Sequence, residues 1–318
     1  MSTSPSLLIN TANKRYQTDK FAYCAKICAI SLIGILCAIL FALFIHSNEA
    51  LRVLGAQFFT SNVWDPPGEQ FGVLAAVYGT LVTAAIAMVI AGFFSITIAF
   101  YINAIAPAWL YKPLRITFDM MAGIPSIIFG MWGLFVFAPI MANTIQPMLQ
   151  NTLGALPLFN ILFAGAPLGI GILTASIILA LMLIPFMTSM LTDVFSAIPM
   201  AIKEAAFATG ATLWEVFHAI ILPYSRSAIA GSMMLGLGRA MGETMAVTFV
   251  IGNAHKISSS LFAPGTTISS TIANEFADAA GTLYPSALMA LGLVLFVITM
   301  ATIFLARWIL KSYTKERL

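Results

Sequence analysis

Residues 74–104 run without a single charge, and five more apolar stretches lie at 27–45, 118–140, 168–192, 228–252 and 285–308. A helix needs about 20 mostly apolar residues to cross the hydrocarbon core of a bilayer. Six such runs make this chain an all-α integral membrane protein with six transmembrane helices. Composition agrees: 60% of the residues are hydrophobic and 8% charged, against about 25% charged in soluble domains. No aqueous core has that balance. The run at 74–104 is longer than a bilayer needs, so it is expected to tilt or project. Pro125 and Pro185 fall inside runs and predict kinks, which membrane helices tolerate when neighbours satisfy the freed carbonyls.

The basic residues set the orientation. The N-terminal tail, loop 105–117, loop 193–227 and the C-terminal tail carry Lys14, Arg15, Lys20, Lys26, Lys112, Arg115, Lys203, Arg226, Arg307, Lys311, Lys315 and Arg317. The opposite loops carry only Arg52 and Lys256. Loops rich in Lys and Arg stay in the cytoplasm, so both termini are expected there. The expected division is a cytoplasmic tail at 1–26, the first span at 27–45, a periplasmic loop at 46–73, a permease core at 74–308 and a second cytoplasmic tail at 309–318. The basic N-terminus followed by an apolar run resembles a signal peptide, but the run is long and no small-x-small cleavage site follows. It is expected to remain as the first span.

On the outer side, 46–73 contains NVWDPPGEQFG, whose adjacent prolines predict a turn. Segment 141–167 is uncharged and is expected to be a loop that dips toward the membrane edge. Within 253–284, TTISSTIANEFADAA predicts a short amphipathic helix. Cys24, Cys28 and Cys37 all fall in or beside the first run, with no histidine near, and read as packing residues rather than a metal or redox site. No cofactor, metal or nucleic-acid partner is expected.

Loop 193–227 reads as a helix–turn–helix. Pro199 suits a first helical turn, MAIKEAAFAT continues it, and Gly210 can take the left-handed conformation that ends it. Thr212 followed by Glu215 spells a capping box for the next helix. Leu213, Trp214, Phe217, Ile220 and Ile221 recur at helical spacing, and Pro223 is expected to close the segment.

The stretch EAAFATGATLWEVFHAIILP is also similar, at every fixed position, to the EAA loop of ATP-binding-cassette importer permeases. Glu204, Ala205, Ala206, Gly210, Ile220, Leu222 and Pro223 fill those positions. That resemblance implies a type I, MetI-like permease fold and a coupling helix that docks on an ATPase subunit, with Ala205 and Ala206 permitting close approach. GLGRAMGETMAVTFVIGN, AGIPSIIFGMWGL and FFTSNVWDPPGEQFG resemble the PstC family of phosphate-importer permeases, from about residue 50 to the C-terminus. The resemblance implies a homologous PstA-like permease as heterodimer partner, a PstB-like ATPase dimer and a periplasmic PstS-like phosphate-binding protein. The chain has no GxxxxGK[ST] of its own and no constellation of nucleophile, base and orienting group. ATP hydrolysis is therefore assigned to the partner, and this chain is not expected to be an enzyme.

Arg239 and Glu243 lie within the fifth run, where each ionised side chain costs about 2.5–3.5 kcal/mol on insertion scales. Spaced i, i+4, they share a helix face and can pair. A pair retained for stability alone is disfavoured, because packed apolar residues serve as well or better. The other reading is an anion path, in which the planar donors of Arg239 suit phosphate oxygens and Glu243 compensates the charge. The resemblance favours that reading. Asp119 reads as solvated at the interface or as a helix cap. Within the class the rival is a permease for molybdate or sulfate; outside it, a self-sufficient secondary transporter, which would need no coupling loop.

Overall fold

The computed structural model describes residues 5–157 and 159–315, with side chains described for residues 21–157 and 159–308. Helix α1 (Pro5–His46) is followed by two short helices, α2 (Asn48–Leu54) and α3 (Gln57–Thr60), and by a hairpin of β1 (Trp64–Asp65) and β2 (Gln70–Phe71). Next come α4 (Leu74–Ile105), α5 (Ala108–Ala122), α6 (Ser126–Ala155) and α7 (Ile172–Ser196). The chain continues through α8 (Met200–Ala208), α9 (Leu213–Gly242), α10 (Met245–Ile251) and α11 (Ile268–Glu275), and ends in α12 (Leu283–Lys315). Six helical stretches among the described residues are long and apolar enough to cross a bilayer: those ending in α2, and α4, α6, α7, α9 and α12.

Helix α1 begins well before the expected span at 27–45, continuing helically through most of the expected tail, of which residues 1–4 lie outside the description. Of the tail at 309–318, residues 316–318 lie outside it. The third span differs most from expectation. The run at 118–140 does not form one helix: α5 ends at Ala122, and α6 starts at Ser126 after an extended Pro125 (ψ 136). Proline disfavours the helical conformation in the residue before it and lacks a donor, so Pro125 separates two helices instead of kinking one. The helix then passes through π-helical turns to Ala155, absorbing much of the segment read as an outer loop at 141–167. Pro185 does sit inside α7.

The centre is α7 packed along α4. Buried Ala84, Ala87, Ala91 and Ser95 on α4 face Ala175, Ile178, Leu179, Met182 and Leu183 on α7. Small residues let the two backbones approach, which is how helices associate where lipid offers no hydrophobic contrast. Ser95 Oγ donates to the Ile184 carbonyl at 3.2 Å, beside Pro185.

The chain between α10 and α11 is irregular; its stretch from Phe262 to Thr267 packs inward, Phe262 and Gly265–Thr267 being buried, and backbone groups there and at the start of α7 are met. Gly171 N donates to Val250 O (2.9 Å), Leu173 N to Leu261 O (2.8 Å) and Gly265 N to Ile251 O (3.0 Å). Ile268 N donates to Thr80 Oγ1 at 3.0 Å. Irregular backbone at membrane depth persists only when protein satisfies it. The expected short helix is α11, capped by Thr267; its first turn, Ile268 through Thr271, is buried, and Ala273 and Asn274 are exposed. The two prolines turn the β1–β2 hairpin as expected, with Glu69 N donating to Pro66 O at 3.2 Å. Trp64 from the hairpin stacks on His255 at 5.4 Å, and His255 Nε2 lies 3.7 Å from Glu275. Burial pushes the His255 imidazole below its ordinary value, and Glu275 opposes this by favouring the charged ring.

Candidate functional site

Beyond α7 the chain makes a solvated turn between α8 and α9. Gly210 has φ +86, the left-handed region that favours glycine, and its N–H reaches the Phe207 carbonyl at 3.0 Å. Thr212 opens α9 with a complete capping box: Thr212 Oγ1 accepts from Glu215 N (3.3 Å), and Glu215 Oε2 accepts from Thr212 N (2.7 Å). The EAA-loop residues are thus gathered in one hairpin of helices. Glu204 and Ala205 are exposed, Ala206 is half-buried, and Ile220, Leu222 and Pro223 lie on the first turns of α9. Phe207 and Trp214 are also exposed, leaving an apolar tip. The apolar underside of the hairpin is held by Val216, Phe217 and Ile221 packing on Phe100, Leu191 and Phe195. Lys203 Nζ donates to the Phe195 carbonyl at 3.3 Å, and its partial burial lowers its pKa from the ordinary lysine value.

Pro223 does not close this segment. The helix relaxes into a π-helical turn over Phe217–Ile221, which supplies a place for a residue without a donor, and α9 continues to Gly242. One helix therefore connects the solvated turn to Arg239. The rise from Leu213 to Arg239 is roughly 40 Å.

At its far end α9 breaks. Gly242 is the last helical residue, Glu243 is extended (φ −68, ψ 128), and α10 begins at Met245. The break corrects the expectation that Arg239 and Glu243 pair: no ion pair joins them among the described residues. The i, i+4 geometry requires continuous helix, and Glu243 has left it. Its carboxylate turns instead to the N-terminus of α10, where Oε1 accepts from Ala246 N at 3.3 Å. Arg239 lies with its guanidinium carbon 5.0 Å from the centre of the Phe186 ring, and its buried Nε has no hydrogen-bond partner. The site thus presents a cation with a free donor, a polarised aromatic face and a carboxylate held a few residues away on separate backbone. Phe186 carries no sequence signal beyond its place after Pro185, and only the packing of α7 on α9 brings it to Arg239.

Asp119 caps no helix. It lies in α5, and its Oδ1 accepts from Ser189 Oγ of α7 at 2.5 Å. Arg115, one turn earlier, forms an ion pair with Asp193.

Six apolar helices, a helical hairpin presented between the fourth and fifth, and a fifth that carries Arg239 and ends before Glu243 define an inner-membrane subunit of a binding-protein-dependent transporter. The model of the family described as binding-protein-dependent transport system inner membrane component matches residues 95–315. The chain belongs to the PstC family within it. It is 51% identical to the phosphate transport system permease protein PstC of Mesorhizobium japonicum over 89% of this chain and 86% of that protein. It is 48% identical to the PstC of Haemophilus influenzae over 93% of each. The probable PstC of Methanocaldococcus jannaschii is 38% identical over 86% of this chain and 87% of its own length. Among solved structures, a bacterial alginate ABC transporter in complex with an alginate pentasaccharide-bound periplasmic protein aligns at a TM-score of 0.61, with 18% identity over 95% of this chain and 98% of that one. An inward-facing MetNI methionine ABC transporter aligns at 0.53, with 16% identity over 78% and 99%. At such identities the structural likeness concerns the fold, which is that of type I, MetI-like permeases.

Proposed function

We propose that this chain is the phosphate-importing permease subunit of an ATP-binding-cassette transporter, with Arg239 as its anion-binding residue and Glu243 as the charge that compensates it. The observation that carries the role of Arg239 is its buried, unpartnered Nε near the break that ends the fifth apolar helix. A buried donor without a partner costs free energy, and a permeating anion supplies the acceptor. Phosphate sheds water on entering the span, and the guanidinium replaces part of that hydration through parallel charge-assisted hydrogen bonds. Glu243 keeps the cavity near neutral between cycles.

The drive comes from outside the chain. A PstB-like ATPase dimer grips Glu204, Ala205, Ala206 and the Gly210 turn, with Ile220, Leu222 and Pro223 forming the foot of α9. A homologous PstA-like permease supplies the other half of the path, and a PstS-like protein delivers phosphate to the outer loops. Closure of the ATPases draws the coupling hairpins together, and α9 transmits the motion as a rod to Arg239. The hairpin and both termini face the cytoplasm, as the distribution of Lys and Arg requires. Hydrolysis belongs to the ATPases.

The test is import by the four-protein complex in sealed vesicles. Labelled phosphate should accumulate only with ATP and the binding protein, and unlabelled sulfate or molybdate should not compete. Competition by either anion would assign the chain to another oxyanion, and uptake without ATP would make it a secondary carrier. In spheroplasts, a cysteine at Ser259 should react with an impermeant thiol reagent, and one at Thr212 only after lysis; the opposite pattern overturns the orientation.

A further inference from the structure

Phe186, Ser189 and Asp193 follow one another on α7 at i, i+3 and i+7, so they line a single face. Phe186 lies under Arg239. Asp193 is about 10 Å further along the helix, toward the coupling hairpin. Helix α5 lies along this stripe with two polar rungs. Asp119 accepts from Ser189 Oγ, and Arg115 pairs with Asp193 while its Nη1 also donates to Tyr111 Oη at 3.3 Å. Residues 115 and 119 are one turn apart on α5, as are 189 and 193 on α7, and they meet in antiparallel register.

No residue of α5 is buried. Leu110, Leu114, Phe118 and Ala122 are half-buried along one face, and the two rungs add the polar contacts that set its register on α7. Where α5 ends, the chain breaks at Pro125, and α6 packs tightly on α10. A Cβ added at Gly130 would stand 3.0 Å from Ala246 Cα and 3.1 Å from the Met245 carbonyl. Helix α10 is the one whose N-terminus Glu243 holds. Two mechanical lines thus leave the coupling hairpin. One is α9, which carries Arg239. The other runs from the end of α7 through the rungs to α5, then over the Pro125 joint to α6, α10 and Glu243.

We infer that Arg115 and Asp119 are positioning residues for transport: by clipping α5 to Asp193 and Ser189 of α7, they set where α6 holds α10, and hence where Glu243 stands relative to Arg239. The inference rests on the importer reading given above. When the ATPases move the hairpin, the end of α7 moves with it, and the clip carries α5 and the Glu243 arm along. Without the clip only the α9 arm responds, so the site is not re-formed in step with ATP turnover. The ion pair is largely exposed, at 38% and 61% for its two side chains. Such pairs contribute little to folding, so its loss should leave an assembled complex.

The experiment measures phosphate import and ATP hydrolysis side by side in vesicles holding the full complex. Arg115→Glu and Asp193→Arg should each assemble and hydrolyse ATP at close to the parental rate. Phosphate imported per ATP should fall roughly fivefold or more in each, and the double variant should recover most of the loss, as coupled residues do in a mutant cycle. Asp119→Asn and Ser189→Ala, milder changes at the other rung, should lower the same ratio by a smaller factor. An unchanged ratio in Arg115→Glu overturns the inference. So does a double variant no better than the singles, or loss of assembly in the singles, which would make the clip structural. If the parental complex imports no phosphate, it is the importer reading that fails, and that outcome is visible before any variant is made.

Discussion

Two turns interrupt the chain between α7 and the outer loops, and they are built on opposite plans. The turn at Gly210 lies outside the spans. It has a glycine in its left-handed position, a complete capping box at Thr212 and an apolar underside packed on Phe100 and Phe195. Its polar and backbone requirements are met by residues within a few positions in sequence. The break at Glu243 ends the fifth apolar helix and leaves needs unmet: Arg239 Nε has no partner, and the two charges do not pair. The first turn is complete within its own chain. The second is left incomplete by its own chain, which is what the proposed anion site would need. A polar break at membrane depth is tolerable only where it faces a cavity or other protein.

The contrast is most easily broken at Arg239. Arg239→Gln should lower phosphate uptake by about 100-fold, because removing a buried charged donor from its anion costs about 3 kcal/mol or more, while purification still yields the whole complex. Uptake at the parental rate would mean that the break needs no ligand, and that its unmet donor is merely tolerated. Gly210→Val attacks the other turn. A β-branched residue forced to φ +86 costs on the order of 1–2 kcal/mol, so ATPase retained on purification should fall roughly tenfold, with the permease still inserted. Full retention would show that the hairpin's conformation does not matter to docking.

A smaller effect sharpens how finished the first turn is. Thr212→Ala removes the hydroxyl of the capping box, worth about 1 kcal/mol, and should weaken ATPase retention less than Gly210→Val does. If the two are equal, the cap and not the left-handed glycine sets the hairpin. The smallest effect is expected in the outer cluster, remote from both turns. Burial lowers the folded pKa of His255 below its ordinary 6.5. The unfolded chain therefore binds more protons in that window, and stability present above pH 6.5 is lost as pH falls through the folded value. His255→Gln should flatten the decline of Tm between about pH 7 and pH 5, with little change in uptake. An unchanged slope would show that another group governs acid sensitivity.

Legibility followed the range of the forces involved. The Gly210 turn and the Thr212 cap were readable because one glycine and one Thr–Glu pair decide them locally. So was the hairpin at Pro66–Pro67. Arg239 and Glu243 were conspicuous because charge is rare in an apolar run. Their geometry was not readable: i, i+4 spacing implies pairing only if the helix continues, and nothing local required it to stop at Gly242. Pro125 misled in the same way, since one residue type can kink a helix or separate two, and neighbours choose. Asp119 was visible as an acid near the membrane, but Ser189, its partner, is 70 residues away.

By itself, the sequence determined the class of solvent, the number of crossings, the existence of a helical hairpin between the fourth and fifth spans, and the presence of two costly charges in the fifth. Hydropathy, capping and loop charge are properties of short stretches, and they need no partner to act. Tertiary structure alone decided that α9 ends at Gly242, that Glu243 turns to α10, that Arg239 rests on Phe186, and that α5 is clipped to α7. Each of these joins groups from different helices. In a bilayer, where apolar burial barely distinguishes one helix face from another, the choice among such pairings rests on close packing and on which polar groups find each other.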